Sequence, residues 1–402
     1  MFTKKILAIL VFAFLFVVSE TGAQTGSTFV SGLKAPVKII YAARQGYFLV
    51  SEAGIPTVPN SGRISIVTND GSRLTLLDNL PSGPSTPEGG PSGPSALWLD
   101  GSTLYIAIGA GNAVLNGPAP GTEIPNPNPN SPLFSSVLEL RLPFFSGFRL
   151  NRLDYQLQPG DHARLANGET ITLGFFRQRA TLRLLVNFPD FTPNPRPDVP
   201  NNVRASNPFG LVAAGSKLYV ADASQNSVRT VNLADGATET FFTFPPRANP
   251  TPPPPVSEAV PDSLRLFGNK LLVTFLTGFP FPAGLADVRQ IDLETGAESQ
   301  LIGGLRMAMD VLPVPANNAF CHAFYTLEFS TNPTANAPGR LQRFNSPGGT
   351  PTLISNSLIS PTSMTLHPPS GDLLVTEIFP GRITRISNIP ANATDDQSIS
   401  GR

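Results

Sequence analysis

The chain has a single cysteine, Cys321, among its 402 residues, so no intrachain disulfide can staple it. It has three histidines and one tryptophan, and only 14% of its residues are charged. Basic and acidic residues balance at 28 each, and removing Lys4, Lys5 and Glu20 leaves the remainder near neutral. Without a basic block there is no electrostatic footprint for nucleic acid or an anionic membrane. The motifs His-Glu-x-x-His, Gly-x-Ser-x-Gly and Gly-x-x-x-x-Gly-Lys are all missing, which removes the common zincin, serine-hydrolase and phosphate-loop readings. After Val18 no apolar run is long enough to cross a bilayer.

The N-terminal residues read as a targeting segment. Lys4 and Lys5 precede the apolar stretch Ile6 to Val18, and Thr21-Gly22-Ala23 supplies small residues for cleavage. Residues 1–23 are expected to be a signal peptide, and the protein to be secreted or periplasmic. A chain of that length can bury a core large enough to hold without disulfides. Cys321 then reads as a small buried hydrophobe.

Proline (43) and glycine (35) are abundant, as in many short strands joined by turns. One phrase recurs: a Gly- or Asn-marked turn, an apolar run, and usually an acidic end. Its copies close on Glu52, Ile108, Asp222, Phe275, Glu328 and Glu377. Each follows an opening strand marked Pro-x-x-apolar at Pro36, Pro94, Pro208, Pro261 and Pro361, with Ala308 in the remaining place. A strand-only repeat at roughly 50 residues is the signature of a β-propeller. Third strands follow, as at Gly62 to Val67 and Gly381 to Ile386, then Gly turns such as Asn69-Asp70-Gly71, then a fourth strand.

The expected fold is an all-β, six-bladed β-propeller of four-stranded antiparallel blades, with seven blades as the alternative. One interval is about double, and we assign it to an insertion at about residues 143–180 of the second blade. Within it, Arg164 to Phe176 reads as an extra hairpin and Thr181 to Phe188 as the delayed fourth strand. The last repeat lacks a fourth strand, and Thr28–Leu33 has no blade of its own. Pairing Thr28–Leu33 with Arg382–Ser387 closes the ring and covers both edges. Residues 24–390 are read as one domain and 391–402 as a flexible tail. The Pro-rich stretches Asn116 to Pro132, Thr192 to Pro208 and Pro245 to Pro261 read as surface loops.

Glu52, Asp222, Glu328 and Glu377 fall at equivalent places near the channel mouth, where carboxylates that converge would hold Ca²⁺, with a neutral ligand such as Asn226 nearby. Equally, each carboxylate caps its own loop or pairs with an arginine such as Arg63, Arg340 or Arg382. The aromatic loops Thr277 to Pro282 and Pro143 to Phe148 offer an apolar rim or, alternatively, core.

The chain resembles the ScyD/ScyE family of exported bacterial β-propellers. The resemblance spans about residues 27–388 and lies in Val30-Ser-Gly-Leu33, Leu49-Val-Ser-Glu-Ala-Gly54, Asn60-Ser-Gly-Arg-Ile64 and Glu88-Gly-Gly…Gly93-Pro-Ser95. Leu218-Tyr-Val-Ala-Asp-Ala223 and Leu276-Thr-Gly-Phe-Pro-Phe-Pro282 complete it. It implies secretion and a propeller, and carries no defined catalytic residue. Two functions follow as expectations. One is a non-catalytic binding or scaffold module for a protein, glycan or small-molecule ligand. The other is a Ca²⁺-dependent lactonase- or esterase-like hydrolase with its site at the channel mouth, so whether the chain is an enzyme is left open.

Overall fold

A computed structural model describes residues 24–86, 89–143, 154–175, 178–315, 322–387 and 389. Residues 1–23, expected to be a signal peptide, residues 391–402, expected to be a tail, Cys321 and the aromatic run Phe144 to Phe148 lie outside the described residues.

The described chain is almost entirely antiparallel β-sheet in a β-propeller-like arrangement. Its repeats fold as the sequence phrases them: Pro36–Ala42, Tyr47–Glu52, Gly62–Val67 and Arg73–Leu80 make the first sheet in chain order. Equivalent sheets open on Pro94–Asp100, Pro208–Ala214, Pro261–Phe267, Ala308–Pro315 and Pro361–His367. These opening strands touch one another in chain order, and the last touches the first. They therefore form the inner wall of a closed ring. Alternating strand residues pack between neighbouring sheets, so the core runs as interleaved apolar clusters such as Leu312, Tyr325, Leu341, Met364 and Leu373.

Ser27–Ser31 pairs antiparallel with Arg382–Ile386, so the first described strand completes the last sheet. Val30 and Leu33 are buried there. Gly26 allows the approach, because a Cβ on it would stand 2.2 Å from Thr384 Cγ2.

Two stretches depart from the sequence reading. Arg164 to Phe176 is not a hairpin. A short helix, Asp161–Ala166, precedes a strand, Ile171–Leu173, that pairs with Ala180–Asn187. The Asp161 carboxylate accepts from Gln158 N at 2.8 Å and from Arg164 at 3.0 Å, and Leu165 is buried, so one turn suffices to dock the segment. The Pro-rich stretches are also more than plain loops. Val114–Asn116, Glu123–Pro125, Val203–Ala205 and Phe191–Pro193 hydrogen-bond into a separate four-stranded sheet. Arg247–Ala248 pairs with Val256–Ser257, and Gly83–Pro84 with Pro91–Ser92. Local pairing here satisfies backbone groups that a Pro-rich loop would otherwise leave to water.

Candidate functional site

Each acidic strand end is consumed by its own sheet. Lys34 N donates to Glu52, as does the Ser65 hydroxyl. Asp222 accepts from Asn207 N at 2.8 Å and Ser206 Oγ at 2.7 Å, with Arg229 3.2 Å away. Glu328 accepts from Arg306 N at 2.6 Å and from Arg340 through two guanidinium nitrogens. Glu377 accepts from Ile359 N, from Thr384 and from Arg382 at 2.8 and 3.0 Å. In all four cases the backbone donor lies one or two residues ahead of the opening strand. The carboxylate thus clamps the loop that leads into its own sheet. Hydrogen bonds to Glu328 and Glu377 raise the pKa of Arg340 and Arg382 above its ordinary value.

The four carboxylates are therefore in equivalent places without being brought together. Of the arginines named from sequence, Arg340 and Arg382 are partners, while Arg63 bonds Asp78 at 2.9 Å. Asn226 is bound to Glu258 and to Val260 N. Among the described residues no group of three or more His, Cys, Asp or Glu is placed to hold a metal ion. The histidines stand apart: His162 joins Ser131 to Asn79, His322 packs on Phe267, and His367 bonds Ser370 and Asn69.

The buried charges that do converge went unnoticed in the sequence. A β-bulge follows the first residue of every opening strand, so two successive side chains sit out of regular alternation. Lys38, Asp262, Ser263, Asp310 and Ser363 occupy those places, with Arg265 two residues beyond Ser263. Arg265 bonds both Asp310 oxygens, at 3.0 and 2.7 Å, and the Met364 carbonyl at 2.6 Å. Ser263 Oγ, Ser363 Oγ and Met364 N also donate to Asp310. Lys38 Nζ bonds Ser263 Oγ at 3.2 Å and stands 3.6 Å from Asp310. No short motif announces this group, because its members come from four separate repeats that each read as an apolar strand.

Charge and burial set unequal protonation preferences here. Burial alone would raise Asp310, but the charges of Arg265 and Lys38 outweigh it and hold that carboxyl well below the ordinary range. Burial, reinforced by the charge on Asp310, pushes Asp262 well above its usual value. Its Oδ2 has no hydrogen-bond partner. Burial also lowers Lys38 to about 8.

A cavity of about 130 Å³ lies against Ala53, Gly109 and Ile378, which each directly follow a second strand, and Asn207, Phe209 and Val37. A smaller space of about 10 Å³ shares Val37, Ser95 and Phe209 with it and reaches Lys38, Ser263 and Thr362. Gly109 keeps the upper space open, since a Cβ there would come within 2.8 Å of Asn207 Oδ1 and 2.9 Å of Ser92 Oγ.

The cavity lies on the loop face, where second strands end and opening strands begin. That face carries the small sheet and both extra hairpins, whereas the other face has two-residue turns such as 101–102, 215–216 and 268–269 together with the long 142–179 connection. Among the described residues it also carries seven of the nine exposed large apolar side chains: Ile55, Val58, Leu115, Val256, Phe279, Ile359 and Phe379. Phe175 and Leu353 are the exceptions. Phe279 meets Phe281 edge-on at 6.3 Å, and Phe379 meets Phe329 at 6.1 Å.

No family model and no curated protein matches the sequence. A putative phosphatase from Bacteroides thetaiotaomicron is 8% identical, covering 90% of this chain and 73% of its own, with a TM-score of 0.49. An auxiliary nutrient binding protein from the same organism is 10% identical over 89% and 69%, with a TM-score of 0.48. A gluconolactonase from Xanthomonas campestris is 10% identical over 89% and 88%, with a TM-score of 0.46. The likeness to these bacterial proteins is one of β-propeller-like fold and carries nothing about activity.

Proposed function

We propose that this chain is a secreted or periplasmic six-bladed β-propeller of the ScyD/ScyE kind that binds a partner through its loop face. In this reading residues 1–23 are a signal peptide, 24–390 a single domain with its insertion at about 143–180, and 391–402 a tail. The observation that carries it is the asymmetry of the two faces. Among the described residues, extra sheets and exposed apolar side chains are concentrated on the face where the cavity lies, the kind of surface that interaction sites use. The four acidic strand ends favour a non-catalytic role. Their oxygens are engaged by loop N–H groups, hydroxyls and arginines, leaving them poorly placed to ligate Ca²⁺ for a lactonase or esterase.

The test is capture of partners from culture fluid and envelope extract by the parent and by a Phe279→Ser/Phe379→Ser double variant. Both side chains are mostly exposed, so the variant should fold as the parent does while losing the captured partner. Equal capture by both proteins, or sustained turnover of small esters or lactones by the purified parent, would overturn this reading.

A further inference from the structure

We propose that the loop-face cavity binds the carboxylate of a small organic acid, with the Lys38 ammonium as the charged anchor at its floor. The two spaces share Val37, Ser95 and Phe209 as lining. Among the described residues no Asp or Glu lines either, and Lys38 is the one charged residue that does. Its side chain is 12% exposed, in contrast to the fully enclosed Asp310 carboxylate.

The ammonium is also under-used. Asp310 already accepts from Arg265, Ser263, Ser363 and Met364, so its charge is largely spent elsewhere. Lys38 hydrogen-bonds Ser263 at 3.2 Å and forms a long ion pair with Asp310 at 3.6 Å. A lysine has three N–H donors, so with Ser263 and Asp310 engaged one is left for a ligand.

The upper walls are donors as well. Asn207 Oδ1 accepts from Ala110 N, and Ser92 Oγ accepts from Gly111 N, so the Asn207 amide N–H and the Ser92 hydroxyl hydrogen are what they have left to give. Val37 and Phe209 supply apolar wall. The lower space of about 10 Å³ suits a single oxygen beside Lys38, and the upper one of about 130 Å³ suits a short carbon skeleton. A cavity of about 150 Å³ holds a molecule of benzene's size.

The groups facing Lys38 fix the pH behaviour. Asp310 comes from one opening strand, and Asp262 and Arg265 come from another. The strands bearing Ser95, Phe209 and Thr362 present no charge to it. Lys38 titrates at about 8, so the anchor is charged at neutral pH and is lost above that value.

Calorimetric titration of the purified protein with sodium propionate tests the proposal, with propionamide and chloride as comparators. Saturable propionate binding is expected, with propionamide at least about tenfold weaker because it forfeits the charge-assisted bond. Affinity should fall about tenfold per pH unit above about 8, as the protonated fraction of Lys38 does. Lys38→Met should abolish binding, and Phe209→Trp should block it sterically. Should Lys38→Met fail to fold, the pH series and the propionamide comparison on the parent still decide. No saturable propionate binding, equal affinity for propionamide, an affinity unchanged by pH, or chloride binding as tightly as propionate each overturns the proposal. Partner capture by the loop-face aromatics is a separate measurement and can succeed or fail independently.

Discussion

Arg265 grips both oxygens of Asp310 across two adjacent opening strands, and both residues are buried. Bidentate geometry and further donors from Ser263, Ser363 and Met364 leave little of that carboxylate unsatisfied. Such a pair stabilises weakly as a unit, but breaking it strands a charge in the interior.

Asp310→Asn should therefore destabilise the protein by about 3–5 kcal/mol, through a buried Arg265 left without its counter-charge. The paired change Arg265→Met/Asp310→Leu should recover much of that loss. Urea unfolding checks both, at constant m-value. A single variant as stable as the parent would remove the ion pair from the account of the ring.

Asp262 should make stability depend on pH in a definite direction. Its folded-state pKa is raised, so the folded chain keeps a proton that the unfolded chain gives up. Its contribution is whole below the unfolded value of about 4 and is lost as pH rises through the folded value. Asp262→Asn cannot ionise, so it should gain on the parent as pH climbs and show no such gain below pH ~4. Unfolding midpoints of the two proteins measured from acid to alkaline pH decide it. A difference that stays flat means that Asp262 does not resist ionisation.

The loop clamps should each be worth a modest amount. Glu328→Ala and Glu377→Ala leave Arg306 N and Ile359 N without their acceptor, which should cost about 1–3 kcal/mol apiece. The parent's melting temperature is expected to ignore both EDTA and added Ca²⁺, because a ligand bound only to the folded state would raise it. A rise with Ca²⁺ that vanishes in these variants would reinstate the cation reading.

Removing residues 24–34 should open the ring. The change strips Val30 and Leu33 from their packing and bares the edge of Arg382–Ile386. A loss of about 3 kcal/mol or more is expected from the two side chains alone. A peptide of those residues added in trans should restore the melting temperature. Indifference to the deletion would show that the strand is dispensable.

The repeating strands were legible because the sheets restate one local pattern: a proline that cannot donate, replaced once by Ala308, opens each and an apolar run fills it. The pairing of Thr28–Val30 with Ile383–Thr384 could be read from two incomplete repeats. Prolines hid the sheet formed by Glu123–Pro125 and Val203–Ala205, since its pairing joins stretches about 80 residues apart that look individually irregular. Lys38, Asp262 and Asp310 were illegible for a different reason. Their meeting depends on the bulges and on ring closure, both properties of the assembled wall rather than of any repeat. Loop capping by Glu328 and Glu377 with Arg340 and Arg382 as partners was one of two readings open in the sequence, and only the reach of Arg306 N and Ile359 N decides for it.

The register of the closing strand also fixes a direction. Ser27 lies opposite Arg385 and Ser31 opposite Arg382, the loop-face end of its strand. The strands therefore bring the chain in at Ser27 and send it on after Ile386 from the same side, the one opposite the loop face. Whatever is attached upstream or downstream would hold the molecule by that side. Phe279, Phe379 and the cavity beside Phe209 would then point away from the tether, toward whatever arrives from outside.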